Sequence, residues 1–175
     1  MNIKRIIMLA AATLALIVSM TGCKVKYSLS GASIPANANT VSIPYFPNNA
    51  SMVTPTLSST MTEALQDKFS RETRLEQVRE NGDLRFEGEI VNYTSTPSTL
   101  SSDDNNPAPR YRLTITVKVT FENTIDPTFN YNNKTFSAFL DYDSTMSLTE
   151  VEPALIPDIV DDLVTQIFNA AVANW

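Results

Sequence analysis

The feature that most constrains the fold is a run of strictly alternating residues at 110–122. Polar side chains fill every second position, and apolar side chains fill the positions between them, namely Tyr111, Leu113, Ile115, Val117, Val119 and Phe121. Because successive side chains of a β-strand point to opposite faces, this pattern predicts a strand with one buried and one solvated face. Such a sheet needs a second layer against its apolar face.

Two segments with helical spacing can supply that second layer. Apolar residues recur every three or four positions up to about residue 69, and Thr54 followed by Pro55 predicts where that helix begins. A wider apolar stripe covers residues 155–172. Pro153 and Pro157 leave two starts open for the second helix: it begins at the first proline and kinks, or it begins at the second.

Shorter segments predict further strands at 40–46, 84–90 and 134–142, and residues 75–78 could form one more short strand. The Ser/Thr/Asn/Pro-rich stretch 94–109 predicts a loop, which is either mobile or binds a partner. The order of strand, helix, antiparallel strands and helix predicts an α+β two-layer sandwich. We expect a mixed, mostly antiparallel sheet of about four strands with two helices packed on one face.

Residues 1–22 are typical of a lipoprotein signal peptide. Lys4 and Arg5 precede an apolar run, residues 6–20, that is shorter than the roughly 20 residues of a membrane-spanning helix. Met-Thr-Gly-Cys at 20–23 then resembles a bacterial lipobox, which implies cleavage before Cys23 and acylation of its sulfur and its amine. The alternative is an ordinary signal peptide, but the position of the single Cys favours lipidation. We expect a lipidated tether at 23–39 and one domain at 40–175.

Composition excludes several classes of function. The chain has no His and one Cys, which excludes Ser-His-Asp and Cys-His nucleophiles and Cys-based metal sites. Its 19 acidic against 13 basic residues argue against binding nucleic acid. Asp141 and Asp143 could bind Ca²⁺ or act as an acid/base pair in a hydrolase, but a solvated strand end is the simpler interpretation. We expect no catalysis and no cofactor or metal.

Basic residues form the more informative group. Arg110, Arg112 and Lys118 share the polar face of the alternating strand, and Lys134 could lie near them on the neighbouring strand. Guanidinium and ammonium groups in such an arrangement can hold phosphate or carboxylate groups of a lipid headgroup. The alternative is cross-strand pairing with acidic residues of the sheet, namely Glu87, Glu89 and Glu122.

Several segments, taken together, resemble the LptE family of outer-membrane lipoproteins. Beside the lipobox they are YSLSGASIP at 27–35, TVSIPYFPN at 40–48, FEGEI at 86–90, RLTITVKV at 112–119 and FNAAVANW at 168–175. The resemblance covers essentially the whole chain after the signal peptide. It rests on the order of these segments and on their patterns of residue types, and not on one signature motif.

The resemblance implies a non-catalytic protein that plugs an LptD-type β-barrel, assists assembly of that barrel and contacts lipopolysaccharide. It also implies an acyl anchor on the periplasmic side of the outer membrane. An alternative is another periplasmic lipoprotein adaptor, such as an activator of a cell-wall synthase. Strand geometry, and not the resemblance, makes Arg110, Arg112, Lys118 and Lys134 the candidate contacts to the lipopolysaccharide headgroup.

Overall fold

The computed structural model describes residues 34–52, 54–98 and 109–172. This part of the chain forms seven main elements, in the order β1 (Thr40–Ser42), α1 (Leu57–Glu72), β2 (Glu76–Val78), β3 (Leu84–Ser98), β4 (Arg110–Asn123), β5 (Tyr131–Asp143) and α2 (Leu148–Val172). A 3-10 turn at Pro127–Phe129 joins β4 to β5.

The strands of this part form one mixed sheet in the order β2-β1-β3-β4-β5. β1 is parallel to both β2 and β3, whereas β3 with β4 and β4 with β5 are antiparallel. The predicted α+β sandwich is confirmed. The sheet has five strands where about four were predicted, because β1 and β2, with three residues each, both pair as strands.

The alternation of β4 determines which face of the sheet is buried. Leu113 to Phe121 are at most 1% exposed at every apolar position, whereas Tyr111, at the start of the strand, is 37% exposed. Phe69 of α1 shows that both helices cover this face: its ring centroid lies 5.0 Å from Phe86 of β3 and 5.0 Å from Phe168 of α2. The contact with Phe86 joins the helix layer to the sheet, and the contact with Phe168 joins the two helices; tilted aromatic pairs of this kind stabilise packing beyond the area they bury.

Both helices begin at residues other than those predicted. α1 begins at Leu57, after Thr56, and not at Pro55. α2 begins at Leu148, before both prolines, where Ser147 and Glu150 have the spacing of a capping box and form its carboxylate half. The Glu150 carboxylate accepts hydrogen bonds from the Ser147 N–H (2.9 Å) and the Ser147 hydroxyl (2.8 Å).

The two prolines lie inside α2 without ending it. Pro153 and Pro157 are both on its exposed side. Each proline removes one backbone hydrogen bond, but Thr149 and Pro153, whose carbonyls lose these bonds, are exposed residues, so water can reach them.

Residues 94–98 are strand, which corrects the loop predicted for 94–109. β3 continues to Ser98, where it pairs with Arg110 of β4, and residues 99–108 lie outside the described part. Pro97 disfavours a strand, but Thr94 and Thr96 favour one, and the ladder to β4 supplies the backbone hydrogen bonds of this stretch.

Candidate functional site on the outer face of the sheet

The side chains of β3, β4 and β5 that point away from the helices form a broad polar surface, called here the outer face. Its members are Arg85, Glu87, Glu89, Asn92, Thr94, Thr96, Ser98, Arg110, Arg112, Thr114, Thr116, Lys118, Thr120, Glu122, Thr135, Ser137, Phe139, Asp141 and Asp143. The two helices pack on the opposite face. Three of the four predicted headgroup contacts lie on this surface.

Arg112 is held by two other residues of the outer face. Its Nε lies 2.7 Å from Oδ1 of Asp141 and its Nη2 lies 2.9 Å from Oδ2, a bidentate pair. Its guanidinium carbon lies 3.8 Å from the ring centroid of Phe139. The hydrogen bonds from Arg112 hold the pKa of the Asp141 carboxyl below its usual range, and those bonds raise the pKa of Arg112. An external anion would therefore have to compete with Asp141.

Arg110 and Lys118 lie at separate places on the outer face. Arg110 is exposed and stands opposite Asp143 of β5. Lys118 stands between Glu89 of β3 and Thr135 of β5. At a rise of about 3.4 Å per strand residue, Lys118 is on the order of 20 Å from Arg112. The basic residues of β4 therefore do not form one compact cluster.

The structure places Lys134 on the other face of the sheet. It stands opposite Val119, whose side chain is buried, and its Nζ lies 5.3 Å and 5.4 Å from the ring centroids of Tyr131 and Phe136. The expected proximity of Lys134 to the other three basic residues is wrong. The β4–β5 register pairs Lys134 with Val119, so its side chain lies on the same face of the sheet as the buried apolar residues of β4. A register cannot be read from one strand alone.

Asp141 and Asp143 share the outer face, as predicted, but each has a local partner. Asp141 binds Arg112, and Asp143 Oδ1 accepts hydrogen bonds from the Thr145 N–H (2.8 Å) and hydroxyl (2.7 Å). The bonds from Thr145 lower the pKa of Asp143, with a smaller effect from Arg110. In the described ranges, no three potential metal-ligating side chains come together. Both carboxylates fit a structural role at the strand end.

Phe139 is the residue of this surface that sequence reasoning missed. It is 49% exposed and lies under the Arg112 guanidinium. Phe139 alternates with Ser137 and Asp141 along the strand, and this spacing already indicates in the sequence that its side chain shares their polar face.

Mixed charge also characterises the cleft at the other end of the outer face. A cavity of about 400 Å³ is lined there by Arg79, Arg85, Glu87 and Glu122, among others. Arg85 and Glu122 approach to 3.5 Å across the strands. Because both signs of charge line this cavity, it offers no field that would select an anionic or a cationic ligand.

A family model described as "LptE: Lipopolysaccharide-assembly" matches residues 38–171. The chain belongs to this family. LptE proteins are non-catalytic, outer-membrane-associated lipoproteins of lipopolysaccharide assembly. The matched region spans all five strands and both helices, except the last residue of α2.

Two solved structures are similar to this chain at low sequence identity. A minor lipoprotein from Acinetobacter baumannii has 17% identity and a TM-score of 0.42, with 71% of this chain and 91% of that chain covered. Lipoprotein B from Nitrosomonas europaea has 15% identity and a TM-score of 0.48, with 85% and 88% covered. None of the curated proteins matches the chain in sequence.

The predicted lipidation site, Cys23, lies outside the described residues. Within the described part, neither α1 nor α2 combines the length and the apolar character that a membrane-crossing helix requires.

Proposed function

We propose that this LptE-family protein is anchored through acyl chains on Cys23 to the periplasmic side of the outer membrane. There it assists assembly of an LptD-type β-barrel and plugs it, and the barrel delivers lipopolysaccharide to the outer leaflet. The observation that carries the proposal is the family match over residues 38–171, which includes nearly the whole described fold.

The outer face supports the plug role by its chemistry. The lumen of a large outer-membrane barrel is polar. A plug must therefore present polar side chains to the barrel wall, and the outer face does so along three long strands. Its charges have both signs and its central rows are rich in Thr and Ser, which suits hydrogen bonding to a mixed polar wall.

Direct contact with lipopolysaccharide is a second part of the proposal. Arg110 is its best candidate, because it is exposed and its guanidinium makes no hydrogen bond within the described residues. Lys118 is the next candidate, beside Glu89. Arg112 would first have to release Asp141, and Lys134 would have to act from the opposite face. We expect Arg110→Glu with Lys118→Glu to weaken lipopolysaccharide binding more than Lys134→Glu does.

Depletion of the protein tests the export role. The proposal predicts that newly made lipopolysaccharide fails to reach the outer leaflet, measured by its accessibility to a surface-acting modifying enzyme. A Cys23→Ala chain should restore export poorly, although it retains the same domain. Normal export combined with a fall in cell-wall synthesis would contradict the proposal and would favour the adaptor of a cell-wall synthase.

A further inference from the structure

The edges of this sheet differ in how well they are protected against pairing with another chain. An exposed edge presents unpaired backbone groups, and natural proteins protect edges by short length, charge, bulges or proline. β2, at one edge, has three residues. The part of β3 beyond Ile90 pairs only with β4 in the described residues, and it carries a register shift after Ile90 and Pro97. Both of these edges are protected.

The middle of the β5 edge, residues 135–140, lacks these protections. β5 has thirteen residues, and residues 135–140 contain no proline and no charged side chain. The single register shift of the β4–β5 ladder lies between Val119 and Phe121, away from this stretch. A regular, uncharged stretch of six residues at a sheet edge is of the kind that accepts another strand.

Backbone hydrogen bonds establish which groups of β5 point outward. The Ile90 N–H of β3 donates to the Pro47 carbonyl oxygen at 2.9 Å, and the Ile90 carbonyl oxygen accepts from the Asn49 N–H at 2.8 Å. The backbone groups of Ile90 therefore point away from β4. In an antiparallel ladder, pairs of opposite residues are alternately hydrogen-bonded and not hydrogen-bonded to each other. Ile90 and Val117 form a non-hydrogen-bonded pair, so the backbone groups of Val117 point toward β5. The same alternation turns the N–H and C=O of Ser137, Phe139 and Asp141 away from β4.

Gln166 of α2 confirms this direction. Its Nε2 donates to the Ser137 carbonyl oxygen at 3.3 Å, which places Gln166 beside the free edge. Asp162 and Asp158 precede it by one and two turns, so the three exposed side chains form a stripe along α2. Since α2 begins directly after the end of β5, the two aspartates run along the edge from Ser137 toward Asp143.

Charge determines what this edge can accept. Asp158 and Asp162 make no ion pair within the described residues, so their charges are available to a ligand. In an edge-to-edge pairing of two copies of this chain, the α2 helices would lie side by side and bring these aspartates together. Like charges in that position oppose self-pairing, whereas a basic strand would meet an opposite charge at each turn.

We propose that the β5 edge and the acidic stripe of Asp158 and Asp162 form a docking site for an extended, basic segment of a partner protein. The segment adds to the sheet beside β5 through the outward backbone groups of Phe139 and Asp141 and the N–H of Ser137, whose carbonyl oxygen already accepts from Gln166. Its lysine or arginine side chains at alternate positions face α2. This site uses backbone groups of β5 at the edge of the sheet, whereas the proposed barrel contact uses side chains of the outer face, including those of the same three residues. Peptide binding to the protein without the barrel therefore tests the site independently of the proposed function.

The test uses the full lipidated chain in mild detergent and the synthetic peptide Lys-Thr-Lys-Val-Lys-Val-Lys-Thr-Lys. We expect the peptide to slow amide hydrogen exchange at Ser137, Phe139 and Asp141, and its glutamate counterpart to have no effect. Binding should weaken as salt is raised, because exposed charges are screened. Equal binding of the two peptides, or unchanged exchange at these amides, would overturn the proposal.

Two pairs of variants separate backbone pairing from charge. Phe139→Pro removes an outward N–H without removing a bond to β4 and should abolish the protection, whereas Phe139→Ala retains it. Continued protection of Ala138 and Leu140 shows that the β4–β5 ladder is intact. Asp158→Asn with Asp162→Asn should weaken peptide binding by about two- to thirtyfold, whereas Glu63→Gln with Asp67→Asn on α1 leaves it unchanged.

Other occupants of the edge would also overturn the proposal. A dimer in sedimentation that Phe139→Pro dissociates would assign the edge to a second copy. Protection of the same amides without peptide, lost on deletion of residues 24–33, would assign it to this chain's own N-terminal segment.

Discussion

Asp83 and Thr40 bind each other at the point where the chain enters the sheet. Asp83 Oδ2 accepts hydrogen bonds from the Thr40 N–H (3.0 Å) and hydroxyl (3.0 Å), and the Thr40 oxygen accepts one from the Asp83 N–H (2.9 Å). The Asn39 N–H donates to the same carboxylate oxygen at 2.8 Å. These bonds join the start of β1 to the start of β3, just after the predicted tether.

The Asp83 carboxylate should titrate below the usual range for aspartate. The bond from the Asn39 N–H, followed by those from Thr40, lowers its pKa. A lowered folded pKa stabilises the fold above the unfolded value of about 3.9, and that contribution is lost as the pH falls through the folded value. Thr40→Val should raise the pKa toward normal in an NMR titration; an unchanged pKa would contradict the assignment.

Thr62 should contribute to stability through one buried hydrogen bond. Its hydroxyl oxygen accepts from the Phe46 N–H at 3.1 Å and donates to the Ser58 carbonyl at 2.7 Å. Thr62→Val keeps the shape but leaves a buried N–H without a partner, so we expect a loss of about 1–3 kcal/mol in urea unfolding. Thr60→Val, which removes an exposed bond on the same helix, is the control; equal losses in the two variants would contradict this account.

Gly88 should not tolerate a side chain. A Cβ at this position would overlap the ring of Phe46, which is fully buried. Gly88→Ala should therefore lower the free energy of unfolding by about 1–3 kcal/mol through overpacking. In a Phe46→Ala background the same change should cost much less, since the clashing ring is gone. Additive effects of the two substitutions would argue against this contact.

Arg112 should control the titration of Asp141. Its hydrogen bonds are the largest cause of the lowered pKa of Asp141. The pair therefore stabilises the fold above the unfolded aspartate pKa and loses its effect as the pH falls through the lower folded value. NMR titration should show a rise in the pKa of Asp141 in Arg112→Gln and none in Lys118→Gln. A rise of the same size in both variants would point to general charge rather than to the bidentate pair.

The sequence allowed the core of the fold to be predicted where local pattern and tertiary burial agree. The alternation of β4 has one interpretation, and Leu113 to Phe121 are buried as it requires. The start of α2 differs from the prediction because Ser147 and Glu150, whose spacing is that of a capping box, begin the helix before the two prolines. Residues 94–98 differ from the predicted loop because their pairing with β4 outweighs the effect of Pro97.

The candidate site was less accessible to sequence reasoning. That Arg110, Arg112 and Lys118 share a face follows from their spacing. The partners of these residues depend on the register between strands, which one strand does not specify. For that reason the Arg112–Asp141 pair, the stacking on Phe139 and the position of Lys134 emerge only from the structure.

Co-purification tests the central claim most directly. The tagged, lipidated protein is extracted in mild detergent, and the proteins that remain bound are identified and quantified by mass spectrometry. The account predicts a one-to-one complex with an LptD-type β-barrel, with Cys23→Ala as the control for membrane anchoring. A cell-wall synthase in place of the barrel, or no stoichiometric partner, would contradict it.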